Sequence, residues 1–122
     1  MAITALVPQL RTTDLASSLH FYIDRLGFEL AFRYEDFYAG VRAGPQLFHL
    51  KQWEEIDPSI RYVDDADHFH LYFQTGDLEA TAARLSAQGI AFVRPIHETP
   101  WQTREFVIHD DQGHTLYFGE PQ

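Results

Sequence analysis

His49, His70, Tyr72 and Tyr117 share one parity of strand-like segments in which the neighbouring residues are large and apolar. Successive side chains of a strand point to opposite faces. Phe48, Leu50, Leu71, Phe73, Leu116 and Phe118 then form a greasy face, and the histidines and tyrosines form the other, which Val7 joins. A polar, aromatic face recurring in both halves of a chain is expected to line a cleft. Imidazole is a common ligand for Zn, Fe and Ni, so metal chemistry is the first to weigh. A competent centre needs three or four donors. Val7 offers none, and Tyr117 is a poor ligand at neutral pH. His49 and His70 therefore read as hydrogen-bonding groups of a pocket without a cofactor, with a divalent metal ion as the alternative. His68 and His70, two apart on a strand, are a minor alternative pair. His20, His97, His109 and His114 add no HxxxH or HExxH spacing.

The second chemical feature is Pro100-Trp101-Gln102-Thr103-Arg104-Glu105-Phe106, which sets an indole on a loop directly before an alternating strand. An indole is a large rigid surface with one polar edge. It serves either as a stacking platform at the mouth of a pocket or as a cap on the core. No nucleophile elbow, phosphate-binding loop or GxGxxG is present. Asp110-Asp111-Gln112-Gly113 lacks the glutamate of a calcium loop and reads as a turn.

The elements that must position these residues follow from periodicity. Ile3 to Arg11 reads as a strand. Asp14 caps a helix whose Leu15, Leu19, Tyr22, Ile23 and Leu26 form one apolar stripe, closed by Gly27. Phe28 to Tyr34, Tyr38 to Ala43 and Gln46 to Lys51 read as strands, the last two joined at Gly44-Pro45. Half a chain later the pattern restarts. His68 to Thr75 is a strand, Asp77 caps a helix with Leu78, Ala82 and Leu85 on one face, and Gly89 closes it. Ile90 to Val93, Arg104 to His109 and Thr115 to Gly119 are the strands that follow. Self-similarity of this kind marks a duplicated unit. The expected organisation is a single domain over residues 1–122, with a first module at about 1–52 and a second at about 68–122. An acidic connecting loop fills about 53–67, with a lid as its alternative role. One helix on each of two curved sheets makes the fold class α+β.

Composition narrows the partners. The chain of 122 residues is 45% hydrophobic, enough for one core. It contains no cysteine, which excludes disulfides and thiolate chemistry and fits a cytoplasmic protein. No apolar run reaches the roughly 18 residues that span a membrane, and the N-terminus lacks the pattern of a signal peptide. Against 9 basic side chains stand 18 acidic ones, a net charge of −9. That excludes nucleic acid as an expected partner and favours a cationic small molecule.

Several segments, in order, resemble the vicinal-oxygen-chelate superfamily, and within it the bleomycin-resistance proteins. They are Val7-Pro8-Gln9-Leu10-Arg11, Asp14 through Tyr22, Arg25-Leu26-Gly27-Phe28, Glu35 through Arg42, Pro100 through Phe106 and Gly113 through Glu120. The resemblance implies paired βαβββ modules and a homodimer with grooves between subunits, often with an exchanged N-terminal strand. It carries the superfamily's four metal positions onto Val7, His49, His70 and Tyr117. The metal enzymes have His or Gln, Glu, His and Glu there, so only His70 matches. The function it implies is non-catalytic sequestration of a flat, cationic aromatic compound such as a bleomycin-type antibiotic, hence antibiotic resistance. Phe32, Phe37 and Trp101 match the stacking positions, and Tyr38, His49, His70, Tyr72, Glu105 and Tyr117 complete the ligand-binding set. The alternative is a metal-dependent lyase or dioxygenase acting on vicinal oxygens. The family usually has Gly after the Trp, where this chain has Gln102.

Overall fold

A capping aspartate opens the main helix of each half, and the surroundings of the two caps are nearly the same. The computed structural model describes residues 1–122 and divides into a first unit, Met1–Asp57, and a second, Pro58–Gln122. In the first unit β1 (Gln9–Thr12) leads into α1 (Leu15–Leu19), and then come β2 (Glu29–Tyr34), β3 (Tyr38–Ala43) and β4 (Gln46–Gln52). The Asp14 carboxylate accepts from the Ser17 amide at 3.0 Å, satisfying one of the free N–H groups of the helix start. Thr12 Oγ1 accepts from the Asp14 amide at 3.0 Å and bonds the Ser18 hydroxyl at 2.7 Å. Gln52 Oε1 accepts from the Leu15 amide at 2.7 Å.

The second unit opens with α2 (Ser59–Asp65), then runs β5 (Leu71–Gln74), α3 (Leu78–Ala87), β6 (Arg94–Glu98), β7 (Thr103–His109) and β8 (Thr115–Pro121). Here Asp77 accepts from the Ala80 amide at 3.1 Å, and Thr75 and Thr81 hydroxyls bond at 3.1 Å. Glu120 Oε2 accepts from the Leu78 amide at 3.1 Å. The duplication read from the spacing of capping residues therefore extends to the hydroxyl pair and to the side chain that reaches back to the helix start.

Each unit holds one mixed four-stranded sheet, ordered β1-β4-β3-β2 in the first and β5-β8-β7-β6 in the second. The βαβ crossover makes β1 parallel to β4 and β5 parallel to β8, while the other pairs are antiparallel. The fold is α+β, as expected. The strand expected at His68 to Thr75 begins only at Leu71, so His70 lies before β5, its ring tied to the Thr115 amide and the Ser59 hydroxyl. Three further differences are found. Ile3 to Val7 stays outside β1, exposed and unpaired in the chain's own sheet. The stretch expected as an acidic loop carries α2, which has no buried residue and hence no apolar stripe to read. The strand expected at Ile90 to Val93 lies instead at Arg94–Glu98. Ile90 is buried as a core plug and Phe92 stacks on Phe106 at 4.9 Å, so that apolar run packs as a connection.

The greasy parity lies where expected: Phe48, Leu50, Leu71, Leu116 and Phe118 are buried, and Phe73 is half-buried and stacked on Phe118 at 4.9 Å. The helices add Leu15, Leu19, Tyr22 and Leu26 to the buried core of the first unit, and Leu78, Ala82 and Leu85 to that of the second. Beyond α1 the helix widens over His20–Arg25 into a π-helical turn, with the Leu26 amide donating to the Phe21 carbonyl at 2.9 Å. A regular helix would turn neighbouring side chains about 100° apart. The wider turn brings both Phe21 and Tyr22 into the core, their rings edge to face at 5.3 Å. No helix is long and apolar enough to cross a membrane.

Candidate functional site

The face of each sheet turned away from its helix carries His49, Tyr72 and Tyr117, whereas Val7 precedes β1 and His70 precedes β5. In the first unit, β3 and β4 pair Tyr38 with Lys51 and Gly40 with His49, while β2 brings Phe32 opposite Gly40. A Cβ at Gly40 would overlap the Phe32 ring, approaching Cδ2 at 2.6 Å. The missing side chain thus lets that ring lie across the sheet. There Phe32 stacks on Tyr38 at 6.2 Å and meets His49 edge-on at 5.2 Å. Gln9 Nε2 donates to the Tyr38 hydroxyl at 2.8 Å, and that hydroxyl bonds His49 Nδ1 at 2.9 Å. Phe32, Tyr38 and His49 are therefore one cluster, with Phe32 exposed and the other two half-buried. Phe37, in the β2–β3 turn, joins a different group. Lys51 Nζ lies 5.7 Å from its ring centre and 5.6 Å from that of Trp53.

In the second unit Tyr72 and Tyr117 are cross-strand partners on β5 and β8. The Tyr72 hydroxyl donates to Glu105 Oε2 at 2.9 Å, and Thr103 Oγ1 donates to the same oxygen at 3.0 Å. Glu105 is buried, so it holds Tyr72 in place rather than presenting a carboxylate to solvent. Burial first, then the bond to Glu105 and its charge, push the Tyr72 phenol up to about 12. Burial and the charges of Asp67 and Glu105 also raise Tyr117, against the opposing pull of Arg94. The phenol of Tyr117 donates to the Asp67 carbonyl at 3.1 Å. Phe69, absent from the residues picked out by parity, closes this aromatic group at 5.5 Å from Tyr72 and 5.2 Å from Tyr117.

His70 stands apart from the phenols. Its Nδ1 accepts from the Thr115 amide at 3.0 Å, which places its proton on Nε2, bonded to the Ser59 hydroxyl at 3.0 Å. Its ring meets that of His114 edge-on at 4.8 Å. His114 is fully buried, with Nδ1 on Asp110 Oδ2 at 2.7 Å. Asp110 Oδ1 accepts three amides, those of Gln112, Gly113 and His114. The Asp-Asp-Gln-Gly turn was legible, but the buried acid–imidazole pair inside it had no signal beyond a four-residue spacing.

Trp101 lies in the turn between β6 and β7 and is 68% exposed. That geometry excludes the core-cap alternative for its ring. The next residue, Gln102, has φ +64°. This left-handed backbone is the conformation glycine adopts freely, which accounts for a glycine being usual after the Trp.

The scaffold is thus a duplicated βαβββ unit whose two sheets each carry aromatic rings on the open face. The chain belongs to the Glyoxalase/Bleomycin resistance protein/Dioxygenase superfamily, whose family model matches residues 3–118. Among solved structures it is similar to the bleomycin-binding protein of bleomycin-producing Streptomyces verticillus, complexed with copper(II)-bleomycin. That match has 24% identity and a TM-score of 0.76, covering 100% of this chain and 99% of the other. It is also similar to TnmS3, an antibiotic-binding protein from Streptomyces sp. CB03234, at 22% identity and a TM-score of 0.77, covering 100% and 99%. A glyoxalase-related enzyme from Clostridium phytofermentans matches at 19% identity and a TM-score of 0.81, covering 100% and 98%. At these identities the likeness is one of fold. A search of curated protein sequences found no significant match.

Proposed function

We propose that this protein binds and sequesters a flat aromatic small molecule without transforming it, with bleomycin-type antibiotics the first compounds to test. The observation that carries this reading is the set of exposed rings on and beside the open sheet faces: Phe32, Phe37, Trp53, Phe69 and Trp101 are each more than 40% exposed. A soluble chain does not gain stability from aromatic rings left in water, whereas stacking on them gains about 0.5–1.5 kcal/mol per contact. This increment adds to the burial of the ligand's own apolar surface, and the two together supply the roughly −8 kcal/mol of micromolar binding. Two relatives of like fold bind antibiotics. The donor set also favours sequestration. Val7 offers no ligand atom, Tyr117 is held as a neutral phenol, and His70 has both ring nitrogens engaged.

A second reading, a metal-assisted enzyme, draws on the paired imidazoles of His70 and His114 and on the dioxygenases in the family's own description. Elemental analysis of untagged protein and a thermal-shift screen separate the two. A ligand that binds only the native state raises its melting temperature and, on the binding reading, is recovered unaltered. Stoichiometric Fe, Zn, Ni or Mn, with chemical conversion of the ligand, would replace the first reading by the second. We further propose a homodimer, because Ile3 and Leu6 are 73% and 86% exposed and need a cover. A monomer by light scattering at micromolar concentration would refute this.

A further inference from the structure

Lys51 is the only lysine in a chain whose acidic groups outnumber its basic ones two to one. It sits on β4, on the open face of the first unit, cross-strand from Tyr38 and from Arg11. Its ammonium lies over two exposed rings at once, 5.7 Å from the centre of Phe37 and 5.6 Å from that of Trp53. Both distances fall within the range at which a cation is attracted by a ring's quadrupole. The other strand cations of this unit are committed elsewhere or lie at the sheet's far end. Arg11 reaches Asp57 at 3.4 Å, Arg33 holds Asp36 at 2.7 Å, and Arg42 pairs with Leu47 at the end of the β3–β4 ladder. Lys51 is half-buried, has no carboxylate in ion-pair reach, and is tethered where a stacking ligand would come to rest.

We propose that Lys51 selects the ligand by charge, and that the ligand is a planar aromatic acid. Its ring system stacks on the exposed rings around Phe37, and its carboxylate or acidic hydroxyl meets the Lys51 ammonium. This rests on the binding reading above and reverses the sign of ligand charge expected from the net charge of −9. The whole-molecule field acts over distances that salt screens, whereas Lys51 acts at contact, where screening is weak. An organic cation would have to displace a tethered ammonium from both rings or lie beside it against its repulsion. An acid gains the ion pair and leaves the cation–ring contacts in place.

The test compares two three-ring probes of like shape and opposite charge, anthracene carboxylate and aminoacridine, titrated against the intact protein by equilibrium dialysis. Wild type should bind the carboxylate about fivefold or more tighter than the acridinium, the scale of one partly exposed ion pair. Lys51→Arg should keep that order, Lys51→Gln should weaken the carboxylate about fivefold, and Lys51→Glu should invert the order. Because Lys51 is the sole lysine, acetylating it in the folded wild-type protein should reproduce Lys51→Gln even if a variant folds poorly. Binding of both probes with an order that neither Lys51→Glu nor acetylation changes would overturn the assignment and leave the binding reading intact. Tighter binding of aminoacridine in the wild type would do the same. If neither these probes nor any compound of the thermal-shift screen binds, the binding reading itself fails and takes this inference with it.

Discussion

Gly119→Ala is the smallest change that should disable the phenol side of the second unit. A Cβ at this buried position would overlap the Tyr72 hydroxyl, lie 2.7 Å from its Cζ and come within 3.3 Å of Glu105 Cγ. The sheet backbone cannot yield, so the phenol must swing away and give up its 2.9 Å bond to Glu105. A hydrogen bond to a buried charged group contributes about 1.5–3 kcal/mol, and the substitution should therefore cost about 2–3 kcal/mol. Tyr72→Phe removes the same bond and should cost about 1.5–3 kcal/mol, Glu105 keeping its bond from Thr103. The two changes act on one interaction, so the double variant should cost much less than their sum, with a coupling of about 1.5–2 kcal/mol. Urea unfolding of the four proteins at neutral pH measures this cycle. Ultraviolet titration of tyrosinate, with Tyr72→Phe identifying the signal, should show Tyr72 falling from about 12 toward its ordinary 10.0 in Gly119→Ala. Additivity within about 0.5 kcal/mol, or a phenol that titrates unchanged, would refute the claim that Gly119 exists to admit the hydroxyl.

Three further outcomes follow from the geometry. The folded state binds the Tyr72 proton more tightly than the unfolded chain does, so its contribution is complete below pH 10.0 and is lost as pH rises toward about 12. With the ring partly exposed, the wild-type advantage over Tyr72→Phe should shrink by about 1–2 kcal/mol across that window in denaturant melts. Trp101→Ala should cost at most about 1–2 kcal/mol of stability, against about 3–5 for a buried ring. It should weaken a stacking ligand found in the thermal-shift screen by about 1–3 kcal/mol in a direct titration; large destabilisation with unaltered affinity would sink the platform role. Gln102→Gly relieves a left-handed backbone at φ +64° but frees the unfolded chain, so the net gain should be up to about 1 kcal/mol. A loss of stability in thermal melts would mean that the Gln102 side chain itself holds the turn.

Local chemistry was legible in the residues, and contacts across strands were not. Asp14 and Asp77 announce their helices because a cap bonds an amide only three residues on. The face assigned to His49, Tyr72 and Tyr117 followed from parity alone, since the side-chain period of a strand leaves no freedom once the greasy face is known. β6 was misplaced because Pro95 argues against a strand and Ile90 and Phe92 mimic one. In the sheet β6 is an edge strand, where proline is tolerated. α2 escaped because nothing in it is buried. Lys51 escaped for another reason. Trp53 lies two residues on along the same segment, but Phe37 is brought to Lys51 only by hairpin register, Tyr38 opposite Lys51, and no spacing in the sequence encodes that register directly. Glu105 was counted among ligand groups because an acid on an aromatic face looks available, but Thr103 and Tyr72 already use it.

The two units agree on the helix side of their sheets and differ on the open side. The hydroxyl pairs Thr12–Ser18, buried, and Thr75–Thr81, half-buried, and the reach of Gln52 and Glu120 to a helix start, are one arrangement used twice. On the open faces the first unit presents an imidazole, stacked rings and the Lys51 ammonium, whereas the second presents phenols fixed by a buried carboxylate. Both faces use a glycine to admit an aromatic side chain over the sheet, but at different strands: Gly40 on β3 and Gly119 on β8. What must be the same for a βαβββ unit to fold is therefore carried on one side, and what can differ without unfolding it on the other. Substitutions at Lys51 or Phe32 should on that ground change what the protein binds before they change how stably it folds. Substitutions at Ser18 or Leu78 should do the reverse.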